Sequence, residues 1–270
     1  MRLLLGASLA ALILTVPGLE PLGAQQLGAA TQSSPPAGVT AGQGAANPKG
    51  HYAELDKLPD WGGVWFMTFQ GRVPGAAPEP GPKLKGEYLK KHEAMVAEAQ
   101  ANNGVTKRDR SYCSPPGMPG IMRLAQYPYE FIFAPGRVTI NQEAWMQTRT
   151  IWTDGRQHKD DPDPTYMGDS IGHWQGDTLV VDTIGIDPAL DIATGSGHSD
   201  KFHLVERIHL DPAAPDILVN EMTMDDPEAL AEPFHTTARY RRDRYGALLE
   251  FECSQNDRNP VGASGQTEFH

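Results

Sequence analysis

Alternation of apolar and polar positions dominates the chain from Trp61 onward, and it reads as a succession of strands. Trp61–Met67 is the first. Tyr129–Phe133 and Val138–Gln142 flank Pro135-Gly136, whose order suits the central positions of a type II turn. Trp145–Trp152 follows and stops at Thr153-Asp154-Gly155. Ser170–Gln175 and Thr178–Ile186 are joined by Gly176-Asp177, a two-residue hairpin signal. Phe202–Leu210, Ile217–Thr223, Phe234–Arg242 and Leu248–Ser254 complete roughly nine or ten strands. Lys83–Asn102 is the long helical pattern, with Leu84, Tyr88, His92, Met95 and Ala99 on one face. The strand connections carry no helices, so the sheet is expected to be antiparallel. Closing it removes its edges and encloses a pocket. The expected fold is therefore mainly β: an antiparallel, up-and-down β-barrel with one accessory N-terminal helix.

Ahead of this pattern, Met1-Arg2 precedes an apolar run, Leu3–Val16, and then small residues to Ala24. This reads as a signal peptide over residues 1–24, the run being too short to span a bilayer. The alternative is an N-terminal membrane anchor. Processing would leave no integral membrane segment and place the protein in the periplasm or outside the cell. Residues 25–57, rich in Ala, Gly, Gln, Ser and Pro, read as a flexible linker, and residues 259–270 as a similar tail. Residues 58–258 make the single barrel domain.

Composition narrows the partners. A net charge of −11 argues against a nucleic-acid surface and against anionic lipid. Gly and Pro number 28 and 23, a turn-rich balance that argues against a helical bundle. Export permits a disulfide, and Cys113 and Cys253, with no Cys-x-x-Cys, suit one bridge. Two separate buried thiols are the rival reading.

Gly63-Val64-Trp65 resembles the Gly-x-Trp on the first strand of lipocalins and other calycins. A longer resemblance rests on Asp161-Pro162-Asp163-Pro164-Thr165-Tyr166-Met167-Gly168, then Ser170-Ile171-Gly172-His173-Trp174-Gln175-Gly176-Asp177-Thr178-Leu179-Val180-Val181-Asp182-Thr183, with Cys113-Ser-Pro-Pro-Gly-Met-Pro upstream. Together these look like a large group of secreted bacterial proteins of mostly uncharacterised activity, over residues 58–258. Members often carry Glu where this chain has Gln175 and His where it has Asp169. Some sphingomonad proteins with comparable barrels look like cofactor-independent lyases of lignin-derived aromatic dimers.

The motifs for common cofactors and nucleophiles are missing. No phosphate-binding glycine loop precedes a helix, and there is no Gly-x-Ser-x-Gly and no His-Glu-x-x-His. The expectation is an enzyme without a cofactor or metal. If Gly176-Asp177 forms the turn, Gln175 faces Thr178, His173 faces Val180 and Ile171 faces Asp182. His173 and Asp182 then share a face as diagonal neighbours, and the carboxylate can orient the imidazole. The alternative is a polar pair on a solvated face. Glu206 sits in an otherwise apolar alternation with Phe202, Leu204, Ile208 and Leu210. A carboxylate buried there would be pushed towards general-base range, or would be paired, with Arg239 and Arg241 as partners. The loop 153–169 holds His158, Asp160, Asp161, Asp163, Tyr166 and Asp169 and could cover the barrel mouth. His198, Asp200 and His203 form a weaker metal-ligand alternative.

The resulting expectation is an exported lyase or isomerase acting on a hydrophobic, aromatic small molecule. Glu206 serves as base and His173, oriented by Asp182, as acid or base. Tyr166 or Arg239 stabilises developing charge on oxygen. A lipocalin-like carrier without turnover is the alternative, and a structural envelope protein with a filled barrel is a third reading. A homodimer is left open.

Overall fold

The computed structural model describes residues 54–68, 80–104, 113–193 and 195–252. The expected signal peptide, most of the linker and the tail lie outside the described residues. So does Cys253, and with it the expected bridge to Cys113.

The alternating segments form strands β1 (Val64–Thr68), β2 (Tyr129–Ala134), β3 (Arg137–Gln142), β4 (Gln147–Trp152), β5 (Asp169–Gln175), β6 (Thr178–Ile184), β7 (Asp191–Ala193), β8 (Ser196–Gly197), β9 (His203–Asp211), β10 (Ala214–Asp225) and β11 (Phe234–Asp243). Nine of them close a barrel in the order β1, β11, β10, β9, β6, β5, β4, β3, β2, while β7 and β8 pair separately. Helix α1 (Gly86–Ala101) turns the expected face towards that outlying pair: the His92 Nδ1–H donates to the Gly195 carbonyl at 3.0 Å. Among the described residues no helix is long and apolar enough to cross a membrane.

Two expectations are corrected. The barrel is not purely antiparallel, because β4 and β5 run parallel, with Ile151 opposite Ser170 and Trp152 opposite Ile171. A ring of nine strands cannot alternate direction all the way round, so one adjacent pair must be parallel. That pair falls at the connection 153–168, which is long enough for the crossover that parallel neighbours require. The expected last strand at Leu248–Ser254 does not form over Leu248–Glu252. By then β11 has closed on β1, leaving no edge to extend. Instead the Leu249 N–H donates to the Glu143 carboxylate at 2.7 Å, and Phe251 packs edge-on against Tyr127.

Period-two alternation delivers the core. Val138 and Ile140 on β3, Leu179 and Val181 on β6, and Leu204 and Ile208 on β9 are all buried. Near the β2–β3 and β5–β6 turns, Trp61 meets Phe131, Phe133 and Trp174 with centroids 5.3, 5.3 and 5.4 Å away. Tyr129 and Tyr240 stack edge-to-face at 5.2 Å. Side chains thus fill the axis where a lipocalin would hold its ligand.

Gly168 shows how tightly the crossover docks. Its φ is +68°, and an added Cβ would lie 2.7 Å from the Ile184 carbonyl oxygen. Gly168→Ala is expected to cost about 1–3 kcal/mol, combining a left-handed backbone with a collision against backbone that cannot yield. Chemical denaturation of the variant measures it.

Candidate active site on the outer face of the barrel

The β5–β6 hairpin has the expected register: Gln175 faces Thr178, His173 faces Val180 and Ile171 faces Asp182. His173 and Asp182 do share the outer face, but they are not partners. His173 Nε2 lies 3.0 Å from Gln175 Nε2. Asp182 instead accepts two hydrogen bonds at one carboxylate oxygen, Oδ1, from His158 Nε2 at 2.9 Å and from His203 Nε2 at 2.9 Å. His158 comes from the crossover loop and His203 from the start of β9. The other His158 nitrogen, Nδ1, lies 3.0 Å from Asp169 Oδ2. The result is a continuous string, Asp169–His158–Asp182–His203, drawn from three strands and one loop.

Exposure grades along the string. His158 is 19 % exposed, while Asp182 and His203 are 40 % and 41 % exposed. His158 meets a carboxylate at each ring nitrogen. The His203 hydrogen bond, aided by that from His158, holds the Asp182 carboxyl below its ordinary range. The same bond from Asp182 raises His203 above 6.5, against the opposing effect of burial. With Nε2 committed to Asp182, His203 keeps Nδ1 for exchange with a ligand. This is the base–orienter geometry of acid–base sites.

Beside the string the outer surface of β9, β10 and β11 is concave. A groove of about 360 Å³ is lined by Val205, Arg207, Glu221, Thr223, His235 and Thr237. Asp182, Val205, Thr223 and His235 are successive partners across β6, β9, β10 and β11, so the row that holds Asp182 runs into the groove. Arg207 donates to the neutral Gln175 amide at 3.2 Å, and Glu221 lies opposite it in the register.

The sequence matches no protein-family model and no curated protein.

The other expected site residues lie elsewhere. Glu206 points inward, as its alternation requires, and is fully buried. Its partner is neither Arg239 nor Arg241. Those two lie on the outward face of β11, and Arg239 pairs with Asp211. Arg149, from β4, reaches Glu206 Oε2 at 2.5 Å and Thr183 Oγ1 at 2.9 Å, and Asn220 Nδ2 donates to Glu206 Oε1 at 2.8 Å. Tyr166 packs against the core, and its carbonyl accepts the Met118 N–H at 2.8 Å. The weaker metal set is not assembled: His198 is buried with Nδ1 on the Ser199 carbonyl at 2.7 Å, Asp200 is exposed, and His203 serves Asp182. Among the described residues no group of three or more His, Cys, Asp or Glu is placed to hold a metal.

Sequence reasoning placed Asp182 in the site, named His203 for a different role, and left His158 and Asp169 as undifferentiated loop residues. A histidine in a loop has no periodicity to orient it. The available signal was Asp169 itself, at the first position of a strand whose outward face also holds His173.

Proposed function

We propose that this chain is an exported, cofactor-independent acid–base enzyme of the lyase or isomerase class, with its active site on the outer face of the barrel. The observation that carries the reading is Asp182, whose single carboxylate oxygen receives two imidazole N–H groups. His203 is the catalytic base and then acid, exchanging a proton through Nδ1. Asp182 positions it and favours its protonated form. Asp169 and His158 hold Asp182 from the other side, so that the carboxylate does not turn away when His203 changes charge. Arg207 and the Thr223 and Thr237 hydroxyls bind and orient the substrate.

This reading moves the chemistry from Glu206 to His203. The Glu206 carboxylate is occupied by Arg149 and Asn220, whereas His203 is 41 % exposed and lies two positions before Val205, which lines the groove. It also modifies the substrate. A groove edged by Arg207, Glu221, Thr223 and His235 favours a small molecule with anionic or hydroxyl substituents over a wholly apolar one. An aromatic ring bearing such groups satisfies both requirements. A carrier function would need room along the axis, which Trp61, Trp65, Tyr129 and Tyr240 occupy.

The test is incubation of the purified protein, without added cofactor, with a panel of phenolic and carboxylated small molecules, read by mass spectrometry for changed and for retained mass. The expected outcome is a product mass with the native chain and little or none with His203→Gln. Retention of unchanged ligand alone, or product formation indifferent to His203→Gln, overturns the assignment.

The pH behaviour is checked separately. Followed by NMR, the His203 ring is expected to titrate above 6.5, and in Asp182→Asn its midpoint is expected to fall, since the raising hydrogen bond is lost. An unchanged midpoint would show that Asp182 does not control His203.

A further inference from the structure

One row of outward side chains on the barrel sets opposite charges side by side. Val180 on β6, Arg207 on β9, Glu221 on β10 and Thr237 on β11 are successive register partners. Arg207 and Glu221 therefore stand directly opposite each other on neighbouring strands. Side chains so placed start about 4.5–5.5 Å apart, and unlike charges there ordinarily pair. These two do not. Arg207 Nη1 donates to the Gln175 side-chain oxygen at 3.2 Å, which draws the guanidinium towards β5 and away from β10. Glu221 leans the other way, along β9 to His209, with Oε2 and Nε2 4.0 Å apart. That separation is beyond hydrogen-bond reach. Among the described residues Glu221 accepts no side-chain hydrogen bond, and no contact within 4.0 Å joins it to Arg207.

Both charges line the groove of about 360 Å³, a volume suited to one small molecule. Its apolar part is Val205, and the Thr223 hydroxyl is already engaged by His235 Nδ1 at 3.0 Å. Arg207 has five N–H groups and the bond to Gln175 uses one, so a carboxylate can still be received. The two charges held apart on one groove are complementary to a ligand that carries both signs. A purely anionic ligand gains Arg207 but meets the Glu221 carboxylate beside it, and a purely cationic ligand meets the reverse. We infer that the groove binds a small zwitterion, with its carboxylate on Arg207, its ammonium on Glu221 and its apolar body against Val205. This rests on the groove proposed above as the substrate site, and it narrows the substrate to an amino acid-like compound with an aromatic or aliphatic side chain.

The test reads binding without turnover, by NMR titration of the native chain with three probes that share a phenyl ring and a two-carbon arm. L-Phenylalanine carries both charges, 3-phenylpropionate the anion alone and 2-phenylethylamine the cation alone. Phenylalanine is expected to shift the Val205 and Thr237 amides saturably and to bind about five- to tenfold more tightly than either other probe, the scale of one charge-assisted hydrogen bond. Arg207→Gln should bring phenylalanine down to the affinity of 2-phenylethylamine, and Glu221→Gln down to that of 3-phenylpropionate. Equal or tighter binding of 3-phenylpropionate by the native chain overturns the inference and leaves the acid–base reading standing. No groove shift with phenylalanine at its solubility limit also overturns it. Selective phenylalanine binding by a chain that turns over no compound sustains the inference and counts against the enzyme reading alone. The comparison of the three probes on the native chain is decisive without either variant.

Discussion

Glu206→Gln is expected to lower the stability of the fold by about 3–5 kcal/mol, the usual cost of removing one partner of a buried ion pair. The amide keeps the size of the carboxylate and can still accept a hydrogen bond. What it loses is the charge opposite Arg149, whose side chain is 2 % exposed. An uncompensated guanidinium in a low-dielectric interior dominates the change. A control separates the charge from the packing. The double replacement Arg149→Met with Glu206→Leu removes both ions and keeps an apolar filling, and such exchanges run from neutral to stabilising by about 1–4 kcal/mol. Urea denaturation of the two variants beside the native chain gives the comparison. Equal, large losses in both would show that shape rather than charge is what the core needs at these positions. The comparison also bears on activity. A loss of turnover in Glu206→Gln that the double variant recovers belongs to the fold and not to a catalytic carboxylate.

The second large effect is on turnover. Asp182→Asn is expected to reduce the rate by about 10²–10⁴-fold, the range associated with a positioned acid–base group. The amide can no longer offer an anion to two imidazoles at once, so His203 loses both its orientation and its preference for the proton. Stability should change much less, because the pair is about 40 % exposed and screened by solvent. The pH dependence of that small term has a definite sign. His203 is raised in the folded state, so its contribution is present below the unfolded value of 6.5 and is lost as pH rises through the higher folded value. Asp182→Asn should therefore cost more stability at pH 6 than at pH 9. Thermal melts at the two pH values, beside steady-state rates, test both parts. A kcat that falls only a few-fold would move catalysis away from this string of residues.

The legible parts of the molecule are those written in local periodicity. Gly176-Asp177 set the hairpin register, and with it the shared face of His173 and Asp182. The apolar neighbours of Glu206 announced that it points inward. What stayed illegible was every relation set by the ring as a whole. Arg149 and Glu206 lie 57 positions apart and meet only because β4 and β5 run side by side in the same direction. The same crossover brings His158 to Asp182. Alternation within a strand reports which way a side chain points, and says nothing about which strand lies opposite. Leu248–Glu252 fails in the other direction: its alternation is adequate for a strand, but the barrel has already closed.

The odd number of strands leaves the wall with a seam. Along it β4 and β5 share just two register pairs, where β3 and β4 share six. Arg149 is rooted on one side of that seam and reaches Ser170, Thr183 and Glu206 on the other, touching β5, β6 and β9 in turn. It acts as a rivet set from the inside. The cylinder is thus fastened twice where its backbone stitching is thin, once by main-chain bonds and once by a single buried side chain.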